Sequence, residues 1–346
     1  MKACVIHGAR DLRLSDRAEP VPGPGEVLIR LGAGGICGSD LHYFAEGGVG
    51  DFVVREPLVL GHEGAGTIAA LGEGVTTVKP GDRVAVSPNH PCGQCRECRK
   101  GVRNLCQNVR YFGSAARFPH VNGLFADFFV ASAANCIPIP ERLSDQAAAC
   151  AEPLAITLHA ASQAGPLAGR QVAVVGSGPI GVLLAAVAKM SGATRIAVTD
   201  LFDEPLVIAR AMGATETVNV KTGADRLREF EADRGAFDVT FEASGHPSGL
   251  ASALAITAPG GTIVQVGMLP RGDSPAPLNR VVAKELRLIG TFRFDREYAD
   301  AVDALVEGRI DVAPMITHEF AFSDVLEAFA VAADRRLAMK VTLKPE

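Results

Sequence analysis

The segment VAVVGSGPIG constrains the fold of this chain more than any other stretch. Gly176, Gly178 and Gly181 follow an apolar, strand-like run and lead into an apolar, helix-like run, which is the G-x-G-x-x-G arrangement in the context that dinucleotide binding requires. The first glycine allows a tight turn, the second admits a pyrophosphate, and the third lets helix and strand approach closely. Pro179 and Ile180 begin the predicted helix, whose free N–H groups attract phosphates. The segment therefore predicts a Rossmann domain.

An acidic residue stands where the ribose of a bound dinucleotide is expected. Asp200 ends the next strand-like run, RIAVTD, 19 residues after Gly181. A carboxylate at this place accepts a hydrogen bond from the ribose 2′-hydroxyl and repels a 2′-phosphate. The following residues, LFDEP, contain two acids and no lysine or arginine. We therefore predict NAD rather than NADP, and the alternative is a surface aspartate that ends a strand.

The strand and helix patterns divide the chain into regions of two kinds. Residues 1–150 carry short strand-like runs separated by glycine- and proline-rich turns, which is typical of an antiparallel barrel or sandwich. Over residues 151–292, apolar strands alternate with helix-length segments, as in a doubly wound parallel sheet. Residues 293–346 return to a mixed character. We predict an α/β protein in which a cofactor domain is inserted into a mostly-β domain that the C-terminal residues complete.

Composition excludes several classes of function. The chain has 346 residues, of which 48% are hydrophobic and 21% are charged, and its formal net charge is −5. No apolar run approaches the roughly 20 residues that a membrane span needs, and an acidic balance disfavours a nucleic-acid surface. The first residues have no apolar stretch typical of a secretion signal, so the eight cysteines are expected to bind metal or react rather than form disulfides. We expect a cytoplasmic protein that binds neither nucleic acid nor membrane.

Four of the cysteines crowd into the segment CGQCRECRKGVRNLC, within a lobe of about residues 88–110. Cys92, Cys95, Cys98 and Cys106 are separated by two, two and seven residues. Four thiolates complete the tetrahedral coordination of zinc and leave no open position, which predicts a structural site. An iron–sulfur cluster is disfavoured because ferredoxin-type runs place the fourth cysteine after three residues and before proline. Four unligated thiols are also disfavoured, since this charged loop cannot bury them.

Candidate ligands for a second, reactive metal lie outside that lobe. They are Cys37 in GICGSDLH, His62 and Glu63 in LGHEGAG, and Glu152 in CAEPLA. Catalytic zinc takes three protein ligands and keeps a position for water or substrate. Each candidate also has a structural interpretation: a small buried thiol, a hydrogen-bonded core histidine, or a carboxylate near a helix start. The residues alone leave these alternatives open.

Several segments, taken in order, resemble the zinc-dependent medium-chain dehydrogenases over essentially the whole chain. They are GICGSDLH, GHEGAGTIAALGEGV, the four-cysteine lobe and GSGPIG. CGSDLHYF, AEPL, FEASG and GTFRF are similar to the sorbitol dehydrogenase branch, and RYFGSAARFPHVNG resembles the L-idonate 5-dehydrogenases within it. The resemblance implies a GroES-like catalytic domain, a Rossmann domain between its two parts, and a homotetramer.

The same resemblance implies roles for the candidate site. Cys37 and His62 are expected to hold a catalytic zinc, and either Glu63 or Glu152 is expected to be the third ligand. The zinc lowers the pKa of the substrate hydroxyl. Ser39 is expected to accept the hydroxyl proton and pass it through the cofactor ribose to His42. Hydride transfer to the nicotinamide then leaves a ketone.

Two further residues correspond to substrate contacts of the sorbitol branch. They are Tyr43 and Arg293, whereas Phe294 stands where related enzymes carry tyrosine. One polar substrate contact of that branch is therefore not expected at this position.

The loop after the cysteine lobe is cationic. Arg110, Arg117 and His120 lie in it, and arginine recognises carboxylates through two parallel hydrogen bonds. We therefore expect a sugar acid, with L-idonate oxidised at C5 to 5-ketogluconate, and keep a sorbitol- or xylitol-type polyol dehydrogenase as the alternative. A solvated basic loop is the structural interpretation of the same residues. A zinc-free reductase and a non-enzymatic zinc-ribbon module are less favoured, because the metal-ligand and dinucleotide motifs occur together.

Overall fold

Short strands dominate the N-terminal part of the computed structural model, which describes residues 1–346. The strands of this part are β1 (Lys2–Gly8), β2 (Asp11–Asp16), β3 (Glu26–Gly35), β4 (Gly48–Val49), β5 (Phe52–Val53), β6 (Leu58–Val59), β7 (Glu63–Leu71), β8 (Arg83–Val86), β9 (Asn89–His90), β10 (Arg110–Tyr111), β11 (Phe128–Ser132) and β12 (Cys136–Pro138). The helices are α1 (Gly38–Glu46), α2 (Arg96–Arg99), α3 (Asp145–Ala149) and α4 (Ala151–Ala164).

Strands and helices alternate in the remainder of the chain. The strands are β13 (Gln171–Val175), β14 (Arg195–Asp200), β15 (Glu216–Asn219), β16 (Phe237–Glu242), β17 (Thr257–Gln265), β18 (Arg287–Gly290), β19 (Ile316–Ala321) and β20 (Lys340–Lys344). The helices are α5 (Pro179–Met190), α6 (Asp203–Met212), α7 (Ala224–Glu231), α8 (Pro247–Ile256), α9 (Asn279–Lys284), α10 (Glu297–Val306) and α11 (Val325–Ala333).

A seven-stranded sheet joins the N-terminal and C-terminal parts of the chain. Its order is β12-β8-β7-β3-β20-β19, and β11 also pairs with β3. In the antiparallel register, Gly35 of β3 faces Glu63 of β7 on one side and Thr342 of β20 on the other. This register brings residues that are hundreds of positions apart in sequence to the end of β3, immediately before Cys37.

A second sheet is parallel throughout and has the order β15-β14-β13-β16-β17-β18. Val172 and Val174 of β13 belong to one buried cluster, while Ala173 and Val175 belong to another. Successive side chains alternate between faces, so both faces of this strand are covered, which explains its continuous apolar sequence. The order is that of a Rossmann sheet, whose ligand crevice lies where the strand order reverses, between β13 and β16. The predicted fold class is confirmed.

Helix α4 connects the hydrophobic cores of the two sheets. Leu154 and Ala155 share a buried cluster with Ala65 of β7 and Val182 of α5. The first turn of α4, which carries Glu152, is therefore held at the junction of the two sheets. None of the helices combines the length and the apolar character that crossing a membrane would need.

Candidate active site

A buried aspartate ties the segment of Cys37 to the segment of His62. Cys37 is the N-cap of α1, and its N–H donates to Asp40 Oδ2 over 2.9 Å. The N–H of Gly61 donates to Asp40 Oδ1 over 3.2 Å, and Nδ1 of His62 lies 3.9 Å from the same oxygen. Burial raises the pKa of Asp40, while the nearby His62 opposes this shift. Asp40 thus fixes two candidate metal ligands from separate loops.

Three candidate ligands converge on one point. The ligand atoms of Cys37, His62 and Glu63 all lie within 4.8 Å of one another. Nζ of the buried Lys340 donates to both carboxylate oxygens of Glu63, over 2.7 and 2.9 Å. A Cβ on Gly35 would collide with the same carboxylate, so the glycine at the end of β3 makes room for it. A sulfur, an imidazole nitrogen and a carboxylate oxygen form a donor set that zinc accepts.

Glu152 approaches this cluster from the start of α4. It is buried, and the hydroxyl of Tyr111 donates a hydrogen bond to its carboxylate. Burial raises the pKa of Glu152 to about 7. The Tyr111 ring lies 5.8 Å from the ring of His62, centroid to centroid. Glu152 and Tyr111 therefore lie beside the cluster of the three converging ligands.

Arg293 is a strained cation at the same site. Its backbone has a φ of +53°, a conformation that non-glycine residues rarely adopt. Its guanidinium carbon lies 4.3 Å from the centroid of the Tyr111 ring, and its buried Nη1 has no hydrogen-bond partner. Burial lowers the pKa of Arg293, and the nearby Tyr111 and Glu152 partly offset this effect. An unpaired buried donor of this kind is rare in folded proteins.

The remaining predicted substrate residues near the site, unlike Arg293, have no buried polar atom without a partner. Tyr43 is buried, and its hydroxyl accepts the N–H of Ala115 over 2.9 Å. Arg117 is half-buried, donates from Nε to a backbone carbonyl over 3.3 Å, and is close enough to Arg293 to lower the pKa of its guanidinium. Phe294 is fully buried and stacks on Tyr298 at 5.6 Å.

The structure does not bring the whole basic loop to the site. Nε2 of His120 accepts the N–H of Arg55 over 2.8 Å, and its Nδ1 donates to the carbonyl of Arg117 over 2.7 Å. Both ring nitrogens are therefore engaged by the backbone, so the prediction that His120 recognises substrate has no free nitrogen to support it. Arg110 is exposed on β10.

Ser39 and His42 line a cleft of about 680 Å³ between the two sheets. Both lie on α1, three residues apart, and Gly178 and Ser244 form part of the opposite wall. Residues at this spacing share one helix face. The side chain of His42 is 60% exposed, and its Nδ1 lies 3.1 Å from Glu46. The pair thus extends from the interior of the cleft to solvent.

The glycine turn has the geometry of a dinucleotide site. Gly176 has a φ of +98°, and a Cβ there would lie 2.7 Å from the backbone nitrogen of Ser244. A Cβ on Gly181 would collide with the carbonyl of Gly176. Gly178 is the N-cap of α5, and Pro179 and Ile180 form its first turn. Asp200 Oδ2 accepts the N–H of Ser177 over 2.7 Å, so its carboxylate is fixed beside the turn.

The four predicted structural ligands also converge. The sulfur atoms of Cys92, Cys95, Cys98 and Cys106 lie within 4.8 Å of one another. Sγ of Cys106 accepts the N–H groups of Cys92 and Asn108, each over 3.3 Å. Backbone N–H groups lower the pKa of Cys92 to about 6, and thiolates are the form that binds metal. The four-sulfur set fits zinc and leaves no donor position for a substrate.

Comparisons with known proteins agree with this arrangement. Residues 23–141 match the family model of the alcohol dehydrogenase GroES-like domain, and residues 179–307 match that of the zinc-binding dehydrogenases. The chain is 39% identical to L-idonate 5-dehydrogenase (NAD(P)(+)) of Escherichia coli K12, over 99% of this chain and 98% of that protein. This chain is a zinc-dependent medium-chain dehydrogenase of the sorbitol branch. The predicted family is confirmed.

Other relatives of this dehydrogenase are nearly as similar. Sorbitol dehydrogenase of Gallus gallus is 37% identical over 99% of this chain and 96% of that protein. The crystal structure of L-idonate 5-dehydrogenase from Escherichia coli K-12 aligns with a TM-score of 0.94 and 38% identity, over 99% of this chain and 97% of that chain.

The cysteine lobe of this dehydrogenase contacts the segment that carries Arg293. Arg103 donates from Nε and from its backbone N–H to Asp295, over 2.6 and 3.1 Å. Nδ2 of Asn104 donates to the carbonyl of Phe292 over 3.0 Å. Bonds on both sides of Arg293 therefore hold its strained backbone conformation in place.

Sequence reasoning missed three residues of this site. Asp40 lies inside GICGSDLH but had no predicted role, and Tyr111 lies inside the RYFGS stretch. Lys340 opens the closing strand, and a lysine at the start of an otherwise apolar run is the signal that could have indicated a buried ion pair. Its partner Glu63 could not have been identified without the register of the seven-stranded sheet.

Proposed function

We propose that this dehydrogenase uses NAD and zinc to oxidise a secondary hydroxyl of a small sugar acid, converting L-idonate to 5-ketogluconate. The observation that carries the proposal is the half-buried side chain of Arg293, whose buried Nη1 has no hydrogen-bond partner although Tyr111 and Glu152 lie nearby. A buried donor without a partner is costly, and a substrate carboxylate would compensate it. The 39% identity to an L-idonate 5-dehydrogenase supports the same substrate class.

The carboxylate of the substrate would bind between two cations. Arg293 offers free donors, and Arg117 is near enough for its charge to act on Arg293. Paired donors of a guanidinium match the two oxygens of a carboxylate. Tyr43, whose hydroxyl accepts from Ala115, retains its own proton for donation to a substrate oxygen. Arg110 and His120 are not part of this proposed contact.

The proposed function includes two zinc ions per chain, one catalytic and one structural. Cys37, His62 and Glu63 would hold the catalytic ion, with Glu152 and Tyr111 bordering its open position. When bound, this ion supplies a Lewis acid that lowers the pKa of a substrate hydroxyl. The four cysteines of the lobe would hold a structural ion. Lys340 donates to both carboxylate oxygens of Glu63 and so fixes the position of this ligand.

Proton transfer would use the exposed side of the cleft. Ser39 Oγ would accept the proton of the substrate hydroxyl, and His42, which reaches solvent, would release it. NAD supplies the acceptor for the hydride and would bind along Gly176, Gly178 and Gly181. The carboxylate of Asp200 would accept a hydrogen bond from its ribose. The homotetramer stays a prediction of the family resemblance, and the cytoplasmic location and the domain boundaries at 150 and 292 stay predictions from the sequence pattern.

A polyol dehydrogenase is the second candidate. Sorbitol dehydrogenases are nearly as similar to the chain as L-idonate 5-dehydrogenase is, and His120 gives no support to carboxylate binding. The two candidates differ in the group that Arg293 would meet, a carboxylate or a neutral hydroxyl. Phe294 is fully buried against Tyr298, so it does not separate the two candidates.

A substrate panel with matched variants tests the proposal. We expect kcat/KM to be at least about tenfold higher for L-idonate than for sorbitol or xylitol, since charge-assisted hydrogen bonds are about twice as strong as neutral ones. Arg293→Ala should lower kcat/KM for L-idonate by roughly 10- to 100-fold and for sorbitol by less. Arg110→Ala, which removes an exposed arginine on β10, is the control and should change neither value. Much faster turnover of sorbitol than of L-idonate would overturn the assignment.

A further inference from the structure

An arginine from the C-terminal part of the chain crosses the cleft to the glycine turn. Arg335 lies between α11 and β20, the strand that pairs with β3. Its Nη2 lies 2.6 Å from the position that a Cβ on Gly178 would occupy, and its Nη1 lies 3.8 Å from Asp200 Oδ2. The guanidinium therefore sits over the one glycine whose missing side chain opens the turn to a ligand.

The contact with Asp200 does not explain the position of Arg335. The carboxylate of Asp200 already accepts the N–H groups of Ser177, Leu201 and Phe202. The 3.8 Å separation exceeds a hydrogen bond, and the Arg335 side chain is 41% exposed, so the ion pair is weak. The donors of Arg335 are therefore free for a ligand in the cleft.

The surroundings of Arg335 favour a pyrophosphate as that ligand. Gly178 is the N-cap of the 12-residue helix α5 and offers no side-chain cap to its free N–H groups, which suits an anion. A guanidinium above the same N-terminus adds two parallel donors from the opposite side. A 2′-phosphate is less suited to this position, because Asp200 Oδ2 is the charged group nearest to Nη1.

We propose that Arg335 binds the pyrophosphate of the dinucleotide cofactor from the C-terminal side of the cleft. In the free protein the guanidinium faces Asp200; on binding it moves to the phosphates and leaves the carboxylate to the ribose. The cofactor is then held between the parallel sheet and the sheet that contains β20. This inference rests on the proposed use of a nicotinamide dinucleotide, but not on the identity of the oxidised substrate.

Fluorescence titration of the purified, zinc-loaded protein with NADH tests the inference without turnover. We expect Arg335→Ala to raise the Kd for NADH by roughly 10- to 100-fold, the range for a hydrogen bond to a charged group, and Arg335→Lys to recover part of the loss. Arg336→Ala is the matched control, because Arg336 is paired with Asp334 through bonds of 3.0 and 2.7 Å. Its Kd should stay within about twofold of the unmodified protein.

Two further ligands distinguish a contact with the pyrophosphate from a contact with the adenosine. Competition by ADP should weaken in Arg335→Ala as much as NADH binding does, while competition by adenosine should not change.

Unchanged NADH binding in both Arg335 variants overturns the inference. A loss confined to NADPH also overturns it, since it would assign Arg335 to the 2′-phosphate. If the unmodified protein binds neither NADH nor NADPH, the proposed function fails instead. If Arg335→Ala does not fold, as judged by its melting curve, Arg335→Gln provides the same comparison.

Discussion

The two groups of metal-ligating side chains differ in almost every physical respect. Cys92, Cys95, Cys98 and Cys106 come from one stretch of 15 residues, offer one kind of donor and lie on a surface lobe. The group that contains Cys37 draws mixed donors from separate segments, and its members His62 and Glu63 are buried where two sheets meet. A complete set of four thiolates holds a metal and excludes a substrate. An incomplete mixed set leaves a position open and therefore suits chemistry.

The two groups of ligands are also held in place by different kinds of contact. Backbone N–H groups of the lobe itself donate to Sγ of Cys106, so that site depends on local chain geometry. The mixed group depends on distant buried side chains: Asp40, Lys340 and Tyr111. Loss of a lobe ligand should therefore reduce stability first, and loss of a ligand from the mixed group should reduce activity first. Four substitutions test this contrast, and the first should cause the greatest change.

Removal of Cys37 should separate chemistry from folding. We expect Cys37→Ala to lose about one of two zinc ions per chain and to lower kcat/KM by more than about 10³-fold, because the Lewis acid contributes several kcal/mol. Its melting temperature should stay close to that of the unmodified protein. Metal analysis, steady-state kinetics and thermal melting measure the three quantities.

The control is the same substitution at a buried thiol outside both groups. Cys4 lies in β1 and is fully buried, so Cys4→Ala removes a thiol without touching a candidate ligand. It should retain both zinc ions and its activity. Retained activity in Cys37→Ala would end the assignment of this group to catalysis.

Removal of Cys95 should reduce stability before it reduces activity, the reverse of what is expected for Cys37. We expect Cys95→Ala to lose the zinc of the lobe and to lower the melting temperature by roughly 5–10 °C, because structural zinc contributes directly to folding. Activity should fall only as the folded fraction falls. Gln94→Ala, an exposed neighbour in the same loop, should leave the melting temperature unchanged. An inactive but fully stable Cys95→Ala would reverse the proposed roles.

The hydroxyl of Tyr111 provides a smaller test of the mixed group. Tyr111→Phe removes the donor to Glu152 but keeps the ring under Arg293. We expect kcat to fall by roughly 10- to 100-fold, as for loss of a hydrogen bond to a charged group, with unchanged zinc content. Tyr298→Phe is the matched control, since the Tyr298 hydroxyl is buried without a partner. Equal effects of the two substitutions would show that the bond to Glu152 has no catalytic role.

The smallest expected effect is one on stability, at the carboxylate of Glu297, which His159 of helix α4 links to the cysteine lobe. Burial raises the pKa of Glu297, but hydrogen bonds from His159 and the backbone N–H of Asp295 outweigh it and lower this pKa to about 2. His159, on α4, also contacts Asn104 of the lobe.

A lowered carboxylate pKa stabilises the fold above its ordinary range, and this stability is lost as the pH falls from about 5 toward 2. We expect Glu297→Gln to be less stable at pH 7 and to lose less stability on acidification, measured by urea unfolding at several pH values. Glu141→Gln, at an exposed carboxylate, should follow the unmodified protein. A parallel pH dependence in Glu297→Gln would exclude the contribution.

Local motifs were predictable and long-range contacts were not. Gly176, Gly178 and the four-cysteine spacing act within short segments, so their sequence carries most of the information. The pairing of Glu63 with Lys340 depends on the register of β7, β3 and β20, which no short segment contains.

The structure gives the prediction for His120 no support, for a related reason. A cationic loop in sequence does not reveal that the backbone of Arg55 uses a ring nitrogen. The mixed metal group was identified through family resemblance, since Cys37, His62 and Glu152 are far apart in sequence. The site roles assigned to these residues remain predictions.

The zinc K-edge X-ray absorption spectrum of the purified protein, combined with metal analysis, distinguishes a closed zinc site from an open one within the same chain. We predict two zinc ions per chain and a mean of between two and three sulfur ligands per zinc, at about 2.3 Å, with nitrogen and oxygen supplying the rest. In Cys37→Ala, the remaining zinc should show four sulfur ligands. A single zinc per chain, or a remaining zinc with nitrogen and oxygen ligands in Cys37→Ala, would contradict the division into two kinds of site.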